Sequence, residues 1–225
     1  MTQLILAALF FIGLHFGVAG TSLRGVLIQR LGEKAYRVVF SSLSLAGLAW
    51  LALSFRPAGY VETWGQLLWF KPVAAALMFV AFLLAVLGVT TPNPTAVDGE
   101  KFLASEEPAV GIMRVTRHPF LWGVALWALT HLIVNGDVAS FVLFGSLLLL
   151  VLGGMVSIDN KRRKLYGKSW DRFVGMTSVV PFVAIRKGRN RLVWREFKWW
   201  QPAIALLAYG AMMHLHVRLF GVSPW

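Results

Sequence analysis

The side chains in this sequence that could do chemistry are histidines set in apolar stretches, and one basic pair at the start of such a stretch. Arg117-His118-Pro119-Phe120-Leu121-Trp122-Gly123 opens a hydrophobic segment, His131 lies well inside it, and Asn135-Gly136-Asp137 closes it on a turn. His15 lies in the first apolar stretch and His214 and His216 near the end of the last. Ionisable side chains are costly in hydrocarbon, so a histidine there marks a candidate functional site. Neutral imidazole is the commonest metal ligand. His15, His131 and His214 therefore point to a metal or haem site. The competing reading is hydrogen bonding between helices, with His216 as an interfacial anchor. Phe120, Val124 and Trp127 precede His131 at helical spacing and share its face. His15 is flanked by Gly13 and Gly17, a spacing that lets another helix approach closely.

Arg117 and His118 suit a different chemistry. They stand where a helix begins, with Pro119 in its first turn, where proline costs no hydrogen bond. Free helix N–H groups together with Arg117 could bind an anionic group. Other chemistries lack their residues. The chain has no cysteine, so thiolate catalysis and cysteine-ligated clusters are excluded. It has no His-Glu-x-x-His or Gly-x-Ser-x-Gly motif. No pair of carboxylates falls within the apolar stretches, which argues against an aspartyl dyad or a carboxylate proton relay. Ser41, Ser42 and Ser44 are the only polar hint of a transport path, and serine more often serves as packing glue.

The elements that position these residues belong to a membrane protein. Of 225 residues, 57% are hydrophobic and only 14% charged, against about 25% charged in soluble domains. Mean hydropathy is +0.66. The expected fold is all-α, a polytopic bundle of about six transmembrane helices forming one integral membrane domain over residues 1–225. The expected spans are Gln3–Gly20, Val38–Phe55, Pro72–Thr90, Phe120–Val134, Ala139–Ile158 and Pro202–Leu219. Net charge is +12, and twelve of the 22 basic residues lie between Asp159 and Lys198 with three acids. That asymmetry marks membrane-side loops that meet lipid headgroups, not a nucleic-acid surface. The Thr21–Arg37 loop carries four more basic residues. Both basic loops should face the cytoplasm, with the two termini and the Asn135-Gly136-Asp137 turn outside. In the Pro92–Thr116 loop, Asp98, Glu100, Glu106 and Glu107 could pair with the basic loop or stay solvated. Ser178–Ile185 is apolar but too short to span, and should dip into the interface.

Depth bears on which histidines could share one ligand. At about 1.5 Å per residue, His15 lies roughly 18 Å from the outer face, His131 roughly 20 Å from the inner face and His214 roughly 18 Å from the inner face. In a core of about 30 Å, depth alone favours His214 as the partner of His131.

Several blocks resemble the NnrU family of bacterial membrane proteins. They are Leu14-His15-Phe16-Gly17-Val18-Ala19-Gly20-Thr21 with Arg24, Asn93-Pro94-Thr95, the Arg117–Gly123 block, His131, Asn135-Gly136-Asp137, Phe144-Gly145 and Phe220-Gly221-Val222-Ser223-Pro224. The resemblance implies a bacterial inner-membrane protein linked to denitrification and nitric oxide metabolism. It extends distantly to a plant plastid carotene isomerase that carries haem b. Carried over residue by residue, it implies haem b ligated by His15 and His131, packed by Trp127 and Phe11, with Arg117, His118 and Arg24 near the propionates. It also implies a hydrophobic or gaseous small-molecule ligand. The resemblance thus selects His15 where depth selects His214. A weaker similarity covers Arg117–Pro181: Arg117-His118-Pro119, Leu165-Tyr166-Gly167-Lys168-Ser169-Trp170 and Val180-Pro181 look like the S-adenosylmethionine region of isoprenylcysteine carboxyl methyltransferases. Leu121 and Asp159 depart from that family's tyrosine and glutamate. A non-enzymatic assembly subunit of a respiratory nitrogen-oxide complex is the third expectation.

Overall fold

The computed structural model describes residues 1–224. Its long elements are helices: α1 (Thr2–Ile12), α2 (Leu23–Leu31), α3 (Glu33–Phe55), α4 (Lys71–Thr90), α5 (Pro119–Asn135), α6 (Val138–Tyr166), α7 (Lys168–Met176), α8 (Val183–Arg186) and α9 (Trp200–Phe220). Five stretches are long and apolar enough to cross a membrane: Thr2–Ala19, Glu33–Ala58, Leu68–Thr90, Val138–Tyr166 and Trp200–Phe220. With the shorter apolar α5, which rises roughly 26 Å, they make the expected bundle of about six spans. Large apolar side chains such as Leu9, Leu45, Leu53 and Leu207 are exposed. In a soluble protein these would be liabilities; here they suit lipid.

The chain groups into two compact units. The first comprises Met1–Leu68 and His131–Leu150. In it α1 buries Leu4, Ala7, Ala8 and Phe11, and α3 offers Gly47, Leu51 and Ser54. The approach is close, because a Cβ on Gly47 would lie 2.9 Å from the Phe10 ring and 3.2 Å from the Phe11 ring. The Asn135-Gly136-Asp137 turn also belongs to this unit. Gly136 adopts φ +57°, a left-handed conformation that suits glycine past a helix end. Its carbonyl accepts from the Thr63 and Gly65 N–H groups at 2.9 and 3.1 Å. Asp137 then caps α6, accepting from Ser140 N at 3.0 Å and Ser140 Oγ at 2.5 Å. An acid at this position satisfies an otherwise orphaned helix N–H.

The second unit comprises Trp69–Thr130 and the chain from Val151 onward. Here α4 packs on α9, with Phe79 and Phe82 edge-on to Tyr209. Gly88 and Gly123 bring α4 and α5 together: a Cβ on Gly123 would sit 2.7 Å from the Ala81 carbonyl oxygen. Leu87, Ile112, Met113 and Val115 form one core cluster. Trp170 and Phe173 of α7 form another with Leu103 and Ala109.

Three local expectations change. The fifth span does not end at Ile158, because α6 continues to Tyr166. The first span is not α-helical throughout: Gly13–Ala19 is π-helix. A Cβ added to Gly13 or Gly17 would meet nothing within 4 Å, so among the described residues no helix crosses closely at this glycine pair.

Candidate functional site

The first unit holds two of the candidate histidines. His15 is half-buried and lies in the π-helical stretch Gly13–Ala19, a helix form that recurs at functional sites. Its Nδ1 is 2.8 Å from the Phe11 carbonyl oxygen. A carbonyl can only accept, so Nδ1 carries a proton, and the tautomer compatible with this bond has its lone pair on Nε2. Metal-ligating histidines are commonly oriented this way, by an N–H donated to a backbone carbonyl. The ring is walled by Phe11 (centroids 4.6 Å apart) and Phe40 (5.3 Å). Tyr36 stacks on Phe40 at 5.7 Å, and the Arg24 guanidinium lies over Tyr36 at 5.7 Å. His131, also half-buried, stacks on Phe144 with centroids 4.9 Å apart and planes at 29°. Phe144 in turn meets Phe55 edge-on.

Trp127 precedes His131 by one turn of α5 and is half-buried. His214 is exposed on α9. His216 reaches the Val222 carbonyl at 2.8 Å and the Phe220 ring at 4.9 Å, as an anchoring residue at a helix end would. No group of three or more histidine, cysteine or carboxylate side chains that could hold a metal ion occurs among the described residues. His15 and His131 are the two candidate histidines that fall in one compact unit.

Arg117 and His118 are drawn into a different centre, in the second unit. Arg117 donates from Nε and Nη2 to Asp159 Oδ2 at 2.8 and 2.6 Å. His118 Nε2 is 2.9 Å from Asp159 Oδ1. All three residues are buried, and His118 is 2% exposed. A carboxylate that accepts on both oxygens is a strong arrangement in low dielectric. With Nε2 turned to Asp159, His118 Nδ1 is buried without a partner. The chain around the centre is pinned. Arg117 N donates to Ser178 O at 3.0 Å, Thr116 Oγ1 and Trp122 Nε1 donate to Val179 O at 2.6 and 2.8 Å, and Phe182 N donates to Val115 O at 2.9 Å. The apolar 178–185 segment expected at the interface is thus tied to the start of α5.

Asp159 stands in the sequence as one acid of a basic loop and as a departure from the methyltransferase glutamate, and neither reading foresees its pairing with Arg117 and His118. The signal lay in the topology: a tight turn makes α5 and α6 antiparallel and returns the end of α6 to the level at which α5 starts. A second unforeseen pair is Arg114 with Glu196. Arg114 donates from Nε and Nη2 at 2.7 and 2.6 Å, and Gly111 N adds a bond at 2.6 Å. The Arg114 hydrogen bonds, outweighing partial burial, hold the Glu196 carboxyl below the ordinary glutamate range. The same hydrogen bonds push the Arg114 guanidinium up. Of the acids in the Pro92–Thr116 loop, Glu100 pairs with Arg162 at 3.2 Å and Glu107 with Arg114 at 3.3 Å. In the Leu165–Trp170 segment, Tyr166 Oη accepts from Arg162 at 3.1 Å and Trp170 is fully buried.

Comparison with known proteins places these residues in a family context. The model of the family described as NnrU protein matches residues 3–224. The chain is 32% identical over 229 aligned residues to the chloroplastic 15-cis-zeta-carotene isomerase of Arabidopsis thaliana, covering 98% of this chain and 59% of that protein. It is 30% identical over 199 residues to the same-named protein of Zea mays, covering 84% of this chain and 52% of that one. The chain thus spans between half and three-fifths of the length of these relatives. No solved structure matches it.

Proposed function

Because the chain belongs to the NnrU protein family, we propose that it is a membrane-embedded isomerase-like protein that changes the cis–trans geometry of a polyene and holds haem b on His15 and His131. The observation that carries this reading is the bond between His15 Nδ1 and the Phe11 carbonyl. It fixes the tautomer, leaves Nε2 as the donor nitrogen and orients the ring before any ligand arrives. His131 supplies a second imidazole in the same compact unit. The exposure of His214 makes it the poorer choice. Phe11, Phe40 and Phe144 give the two rings apolar walls, which keep water from the coordinating nitrogens and suit a hydrocarbon substrate arriving from the lipid. Arg24, whose guanidinium lies over Tyr36, would face the propionates, while Arg117 and His118 are engaged with Asp159. Held by His15 and His131, bound haem would supply redox-active iron chemistry to the site.

The experiment is an absorption spectrum of the detergent-purified protein after expression with added haem. A Soret band that disappears in His15→Ala and His131→Ala, and persists in His214→Ala, is the expected result. Absence of any Soret band, or its loss only in His214→Ala, would overturn the ligand assignment. Conversion of a cis-polyene by the haem-loaded protein, followed chromatographically and absent from His15→Ala, tests the activity itself.

A further inference from the structure

A cavity of about 290 Å³ opens in the second unit beside the Arg117 centre, near the lower edge of the size range of ligand pockets, about 300–1,000 Å³. Arg117 and Arg189 line it together with Val174, Val179, Val180 and Val183. The charges do not cancel. Asp159 neutralises Arg117 through Nε and Nη2 and leaves Nη1 unengaged. Arg189 pairs with no carboxylate among the described residues. Its Nη1 instead donates to the carbonyls of Val174, Gly175 and Thr177 at 3.1, 2.7 and 3.0 Å. That triple contact closes the C-terminal end of α7, where carbonyls lack helix partners, and fixes the guanidinium with Nε and Nη2 still available. A fixed, uncompensated cation that lines one cavity with a second guanidinium suits an oxyanion. The four valines that line the same cavity are of no use to a free ion, but they accept an alkyl chain.

We propose that this cavity binds the phosphate head of an anionic amphiphile, with the oxyanion between Arg117 and Arg189 and the first methylenes of its chain on the valines. The site is independent of the histidine pair of the first unit, so it can fail or stand separately from the haem reading. Its rigidity comes from the bonds that pin the 178–182 backbone to residues 115–122, which leave the walls formed before the ligand arrives.

Calorimetric titration of the full chain in a maltoside detergent tests this, with dodecyl phosphate, inorganic phosphate and dodecyltrimethylammonium as probes. Val180 is 55% exposed, so Val180→Glu should fold normally while setting a carboxylate at the cavity mouth. Saturable binding of dodecyl phosphate should weaken at least about tenfold in Val180→Glu, a modest demand for a like charge at close range. It should change little in the neutral control Val180→Gln, and should weaken in Arg189→Gln. Far-UV circular dichroism verifies that each variant is folded. Binding of dodecyl phosphate but not inorganic phosphate assigns the site to a lipid headgroup; equal binding of both assigns it to a small oxyanion. Equal binding of dodecyltrimethylammonium, no saturable binding, or an affinity that Val180→Glu leaves unchanged would overturn the proposal.

Discussion

Replacing Asp159 by asparagine keeps the shape of the side chain and removes the charge on which two basic residues depend. Three hydrogen bonds converge on this carboxylate, at 2.8, 2.6 and 2.9 Å. The side chains of Asp159, Arg117 and His118 are 11%, 9% and 0% exposed. Asparagine offers one acceptor oxygen and a donor amide, so it cannot accept from both partners, and the Arg117 charge remains buried without compensation. Breaking a buried pair from one side costs about 3–5 kcal/mol, roughly two to four decades in the folding equilibrium. The internal reference is Arg37 with Glu33, an equally short contact of 2.9 Å between side chains 47% and 55% exposed. Solvent screens that pair, and Glu33→Gln should cost no more than about 1 kcal/mol. Unfolding in mixed micelles of rising SDS fraction, followed by far-UV circular dichroism, compares the two variants. An Asp159→Asn loss of under about 1 kcal/mol, no larger than the exposed pair, would refute the claim that this centre organises the start of α5. The double variant Arg117→Met/Asp159→Leu sharpens the test, because exchanging both charges for apolar groups should recover much of the loss.

Glu196 gives a pH dependence of defined sign. Its folded pKa is depressed, mainly by the Arg114 hydrogen bonds, so its contribution is fully present above the ordinary glutamate value of 4.5 and is lost as pH falls through the lower folded value. Thermal unfolding of Glu196→Gln should accordingly lose that acid dependence, and an unchanged slope below pH 4.5 would contradict the assignment. Gly123→Leu forces a side chain into a space where even a Cβ lies 2.7 Å from the Ala81 carbonyl oxygen and 3.0 Å from Ala85 N. Overpacking of this kind costs about 1–3 kcal/mol, whereas Gly145→Leu, with nothing within 4 Å of its Cβ, should be close to neutral in the same unfolding assay.

What could be read in the sequence follows the range of the physics behind it. The spans were legible because hydrocarbon thickness imposes a length and a composition; α4 at Lys71–Thr90 and α5 at Pro119–Asn135 differ from their expected bounds by one residue per end at most. The Asn135-Gly136-Asp137 turn was legible for the same local reason, since a left-handed glycine followed by a capping acid needs no distant partner. The π-helix around His15 was not, because its extra residue per turn leaves the run equally apolar. The glycines of Gly13-x-x-x-Gly17 promised a crossing that packing does not use. The far side of Arg117 was hidden too: Asp159 is 42 residues away, and a small misplacement of one span end turned a buried partner into a loop charge.

That misplacement also bears on how the two histidines of the Arg117–His131 block should be read. His118 immediately precedes α5 and His131 lies on it, yet their environments ask opposite things of the imidazole. His118 faces a carboxylate through Nε2 and shares it with Arg117, so the residue belongs to an ionic centre. His131 stacks on the Phe144 ring, an apolar neighbour, and a neutral imidazole is the form that ligates iron. His15 donates Nδ1–H to a backbone carbonyl, which neither titrates nor competes for a lone pair on Nε2. The chemistry expected of His131 therefore needs a partner of the His15 kind, neutral and oriented, while the centre built on His118 needs an anion. Asp159 supplies that anion to His118 and Arg117, and the charge left over on Arg189 calls for a second one.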